Sequence, residues 1–190
     1  MSALDATPPF MPSRRPRTAD TFGTGCTPTV RPEVPMFESC CSPRESAHVL
    51  RARYGLPVEL YADRPLLTLG AAVEALTLPE PLGRQVLDRL SELPSTPVIA
   101  DPRDRRWTFL VAPPLPNHRV PQRLRTFLQG YSVTLPAPGT RIMLPTSDQP
   151  GGWHWADEPE PGGLRLPHRA VALSAVRRAI LEGPPARLTG

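Results

Sequence analysis

The sequence predicts an α+β domain, with a mostly antiparallel or mixed sheet flanked by helices. Three observations lead there. Helical and extended patterns follow one another in mixed order, without the strict alternation that marks a parallel βαβ sheet. The apolar runs are short and end at proline or glycine. The 190 residues include 28 prolines and 13 glycines, which limits how much of the chain can be long helix or central strand.

Residues 1–43 read as a disordered Pro-rich tail, because prolines recur every few residues with no apolar period. Residues 44–183 are expected to form the folded domain, and 184–190 a disordered C-terminus. "SPRESAHVLRARYG" predicts the first helix. Ser42 can cap it, Pro43 suits its first turn, Glu45 completes a capping-box spacing and Gly55 stops it. "PVELYA" predicts a short strand, "DRP" a turn, and "LLTLGAAVEALTLP" an apolar run ended by Pro79.

In "EPLGRQVLDRLSEL", Leu82, Val86, Leu87, Leu90 and Leu93 recur at helical spacing, with Pro94 and Pro97 as the stop. "PVIADPRDRRWTFLVAPP" predicts a β-hairpin. Its arms are Val98–Ala100 and Trp107–Ala112, and "DPRD" is the turn. "VPQRLRTFLQG" predicts a short amphipathic helix to Gly130, and "SVTLPAPGTRIMLPT" two short strands around a Pro-Gly turn. "GWHWADEP" predicts a strand and "PHRAVALSAVRRAILEG" a closing helix.

The charge pattern excludes little. All 22 basic residues are arginine, set against 18 acids, for a net charge of +4. That balance is compatible with a polyanionic partner, and the interspersed signs also suit an ordinary solvated surface. The absence of lysine points to coding bias rather than to selection for guanidinium geometry. Cys26, Cys40 and Cys41 are odd in number with an adjacent pair, so no disulfide framework is expected. A zinc site would need a fourth ligand, and only His48 lies near; the spacing is also wrong, so no metal site is expected there. No apolar run approaches the roughly 18 residues of a membrane span, and no contiguous signal-peptide core is present. The expected location is therefore the cytoplasm, with no membrane partner.

Four stretches, taken in order, resemble the primase–polymerase family of the archaeo-eukaryotic primase superfamily in its small bacterial and plasmid-borne form. They are "AVEALTLPEPLGRQVLDRLSEL", "LPSTPVIADPRDRRWTFLVAPP", "VTLPAPGTRIMLPTS" and "GGWHWADEP", and together they cover about residues 58–180. The resemblance implies a primase–polymerase-like fold. In that family, two carboxylates one residue apart and a third on a later strand hold divalent ions, and a hairpin histidine contacts nucleotide phosphates. Matched onto this chain, the carboxylate pair falls on Thr77 and Pro79, the third carboxylate on Thr134, and the histidine on Trp107. None of these can do that work: a threonine hydroxyl is a poor ligand for a hard cation and proline offers no ligand at all.

The resemblance therefore implies a degenerate member with no catalytic residues and no cofactor. Its role would be binding or regulation in DNA replication or mobile-element biology, with DNA or a replication or regulatory protein as partner. Two alternatives stay open. One is an active DNA primase or polymerase with displaced ligands, for which Glu74 is the nearest acid. The other is a protein-interaction module with no nucleic-acid role. The candidate nucleic-acid contacts are Arg103, Arg105 and Arg106 in the hairpin, with Arg119, Arg123 and Arg125 around the next helix. Asp101 and Asp104 would neutralise part of the hairpin tip. His154 lies between Trp153 and Trp155, and on a strand it faces away from both rings, a packing arrangement rather than a catalytic one. The rings would then pack under the sheet or against the last helix. Asp157 and Glu158 read as a solvated turn.

Overall fold

The computed structural model describes residues 42–92, 96–115, 118–146 and 152–183. The expected tail, its three cysteines and residues 184–190 lie outside the described residues, except that Ser42 caps the first helix and Pro43 opens it. Helix α1 (Pro43–Tyr54) starts where the capping signal places it, since Ser42 Oγ accepts from the Glu45 N–H at 3.3 Å. It ends in a left-handed Gly55 at φ 67°. The Gly55 N–H bonds to Arg51 O at 3.1 Å, the bond of an αL cap, and the Leu56 N–H to Leu50 O at 3.1 Å; glycine adopts this left-handed conformation without strain.

Strand β1 (Val58–Tyr61) and β2 (Arg64–Thr68) form a hairpin with Tyr61 opposite Arg64. The turn is Ala62–Asp63, both at positive φ, and not "DRP" as expected. Left-handed central residues match the twist of the flanking strands, which fixes a two-residue loop and moves Arg64 and Pro65 into the strand. The expected single apolar run is likewise two strands. It breaks at Gly70, whose N–H bonds to Val73 O at 2.8 Å, and resumes as β3 (Glu74–Pro79) in a different sheet.

Helix α2 (Glu80–Leu90) follows directly from Pro79, and Leu93 lies outside the described residues. The expected hairpin forms as β4 (Val98–Ala100) and β5 (Arg106–Val111), with Val98 opposite Phe109. Next come α3 (Gln122–Gly130), β6 (Arg141–Met143), β7 (His154–Asp157) and α4 (Arg169–Glu182). Of the two strands expected in "SVTLPAPGTRIMLPT", only β6 forms. Thr134 makes a single bridge to Thr77, because Pro136 and Pro138 supply no N–H to extend a ladder.

The fold class is α+β, with two sheets rather than one. Their orders are β1-β2-β6 and β3-β5-β4-β7, and every strand pairing in both is antiparallel. Alternation sends Leu76 and Leu78 of β3 to one face of the four-stranded sheet, with Trp107, Phe109 and Val111 of β5; α2, α3 and α4 cover them. Ala75, Ile99 and Leu110 face the other way, onto α1 and the three-stranded sheet. The four-stranded sheet is thus buried on both faces, which explains the unbroken burial of β5 from Trp107 to Val111.

Trp153 and Trp155 pack into the α1-side core, not against the last helix. The pairing of β4 with β7 shifts register between Val98 and Ile99, a bulge that aligns Ile99 with Trp155 and Ala100 with His154.

Candidate functional site

Thr77, Pro79 and Thr134, the three matched carboxylate positions, meet at one end of the four-stranded sheet. Thr77 and Thr134 exchange backbone hydrogen bonds, Thr77 N–H to Thr134 O at 2.9 Å and Thr134 N–H to Thr77 O at 2.8 Å. The chain can turn back after α3 to reach β3 because Ser132 adopts a left-handed φ of 58°. In the antiparallel pairing of β3 with β5, Thr77 lies opposite Thr108 and Pro79 opposite Arg106, and the Thr77 and Thr108 hydroxyls stand 3.2 Å apart. Thr77, Pro79, Arg106 and Thr108 therefore share one face.

Arg106 fills the space among them. Its Nη2 donates to Thr77 O at 3.4 Å, Ser132 O at 3.2 Å and Thr134 Oγ1 at 3.5 Å. These acceptors are all neutral, and no carboxylate lies within ion-pair range of the guanidinium among the described residues. The face therefore carries a fixed positive charge beside threonine oxygens. Among the described residues, no group of three or more His, Cys, Asp or Glu side chains could hold a metal ion.

Trp107 points to the opposite face and is core, only 5 % exposed. Its indole N–H donates to Asp104 Oδ1 at 2.7 Å, the Arg84 guanidinium lies 5.2 Å from its ring centroid, and α2 approaches so closely at Gly83 that a Cβ there would lie 2.9 Å from the indole. Glu74, the nearest acid, is engaged elsewhere. Arg169 Nη1 donates to Glu74 Oε2 at 2.8 Å, with both side chains largely buried. Arg169 also donates to His118 O. One signal in the sequence could have found this pair. Arg169 opens α4, where a cation opposes the helix dipole, so it must be held by something else.

The six arginines proposed as phosphate contacts separate. Arg103 and Arg105 are exposed in the β4–β5 turn. That turn is organised by Asp101, whose Oδ1 accepts from the Arg105 N–H at 2.6 Å and the Arg106 N–H at 3.2 Å. Arg106 turns inward, as described. Arg123 is exposed on α3. Arg119 and Arg125 line one hollow of about 410 Å³, with Glu74 and Arg169 in its wall. A second hollow of about 490 Å³ adjoins it, shares Arg119 and Arg169, and adds Arg177 and His168. Sequence spacing did not indicate that Arg169 and Arg177 of α4 would join Arg119, since the loop ahead of α3 meets α4 only through tertiary packing.

His154 is half-buried, with Nδ1 3.0 Å from Gly152 O, and no nucleophile or acid reaches it among the described residues. Asp157 is not simply a solvated turn residue. Burial pushes its carboxyl above the ordinary value, opposed by a hydrogen bond from the Thr96 backbone and reinforced by Glu160. Comparison with known protein families, curated proteins and solved structures finds no match to this chain.

Proposed function

We propose that this is a primase–polymerase-like domain in which the fold persists without polymerase chemistry, and that it acts in the cytoplasm by binding DNA or a replication or regulatory protein. The observation that carries the reading is Arg106. The sheet end where the family would hold divalent ions has Thr77, Pro79 and Thr134 at the expected carboxylate positions, and a guanidinium already occupies the space between them. A divalent cation there would gain no anionic ligand and would be repelled by Arg106, whereas Mg²⁺ sites rely on carboxylates and substrate phosphates.

The alternative of an active enzyme with displaced ligands would rest on Glu74. That carboxylate is committed to Arg169 at 2.8 Å, and no second acid joins it in the described lining of its hollow. The test is primer synthesis and extension by the purified full chain with Mg²⁺ or Mn²⁺. We expect no product. Product that disappears in Glu74→Ala would refute the proposal and support the displaced-ligand reading.

A further inference from the structure

We infer that the two adjoining hollows between the loop ahead of α3 and the start of α4 form a docking site for an acidic peptide segment of a partner protein, one carrying aliphatic side chains between its carboxylates. The inference rests on the binding role proposed above and names the partner class. Its first support is charge. Arg119, Arg125 and Arg177 line the hollows, and none makes an ion pair among the described residues. The one acid in the described lining, Glu74, is cancelled by Arg169. Three cations therefore face solvent across concave surfaces, where low-dielectric walls focus the field on an incoming anion.

The second support is the chemistry between those cations. Val120, Leu124 and Leu173 form the apolar part of one hollow, and Leu115, Leu135 and Pro136 that of the other. Leu115 is 59 % exposed, a large aliphatic surface left in water beside the arginines. An acidic segment with aliphatic side chains matches both features, with carboxylates on the arginine rim and apolar groups in the hollows.

The same lining disfavours single-stranded nucleic acid. Base recognition without sequence preference uses aromatic platforms, and no Phe, Tyr or Trp is among the described lining residues. Tyr131, at the far end of α3, lines neither hollow.

The experiment is a fluorescence-anisotropy titration of the full chain against three short probes: a peptide alternating aspartate with leucine, the same peptide with asparagine for aspartate, and a single-stranded DNA. We expect saturable binding of the acidic peptide and about tenfold weaker binding of the asparagine peptide. We expect about tenfold loss in R119E/R125E and no change in R103E/R105E, whose positions line neither hollow. All four arginines are exposed, so the variants should keep the thermal melt of the parent. No saturable peptide binding, peptide affinity unchanged in R119E/R125E, or DNA binding tighter than the acidic peptide and lost in R119E/R125E would each overturn the inference. None of these results yields primer synthesis, so the loss of polymerase chemistry is judged separately by the nucleotide-incorporation assay.

Discussion

The Glu74–Arg169 pair joins β3 to the start of α4, and breaking it should cost more than a surface ion pair. The Glu74 and Arg169 side chains are 19 % and 11 % exposed, and the contact is 2.8 Å. At a charge separation of about 4 Å and an effective dielectric of about 20, the gross attraction is about 4 kcal/mol. Desolvation of both groups offsets part of this when the pair is intact. Removing one partner leaves the other charge with its desolvation cost and no compensation, and the loss is then about 3 kcal/mol. Glu74→Gln and Arg169→Met should each lose about that much in urea denaturation, a fall of roughly 10 °C in Tm for a domain of this size. The double variant should lose about 4 kcal/mol rather than the sum, a coupling of about 2 kcal/mol. Single losses below about 1 kcal/mol, or additivity within about 0.5 kcal/mol, would refute the assignment of this pair as a buried tie.

Three further outcomes follow from the geometry. Gly83→Ala gains about 1 kcal/mol of helix propensity but drives a methyl to 2.9 Å from Trp107, so we expect a net loss of about 1 kcal/mol by urea midpoint; a more stable variant would contradict the close packing. Arg106→Met removes the donor shared by Thr77 O, Ser132 O and Thr134 Oγ1, so amide exchange at Thr134 should quicken by roughly tenfold while exchange in β4 stays constant. Asp157 has a folded pKa above its ordinary 3.8, so its contribution to stability is full below that value and is lost as pH rises through the raised one. Asp157→Asn should therefore gain Tm relative to the parent as pH increases from acid toward neutral, and a gap that narrows with rising pH would invert the assigned cause.

The elements fixed by neighbours in sequence were the legible ones. The Ser42 cap, the Gly55 stop and the Asp101 turn each act within a few residues, through bonds that a local pattern specifies, and the Pro79 boundary through proline's fixed φ. What sequence reading missed depends on contacts between distant segments. Nothing near "LLTL" indicates that β2 pairs with β6 rather than continuing toward β3. Trp153 and Trp155 share one core, and which core receives them depends on the bulge between β4 and β7.

The arginines show the same limit at the site. Arg103, Arg105 and Arg106 are three cations within four positions, and only the register against β3 turns the last of them inward while the others stay in water. The convergence of Thr77 with Thr134 also needs the left-handed Ser132, a conformation that serine does not advertise.

The strand order also sets when this chain can fold during its synthesis. β2 is an inner strand that waits for β6, and the four-stranded sheet waits for β7 at its edge and α4 over its face. A ribosome-bound chain that has emerged only through α3 holds Leu66 and Leu67 in a strand with one open edge, and Trp107, Phe109 and Val111 under an incomplete cover. Neither core closes until residues 141–182 have been made. Native structure must therefore arrive late in translation, and the nascent chain carries adhesive strand edges until then, when it most needs a chaperone or rapid completion.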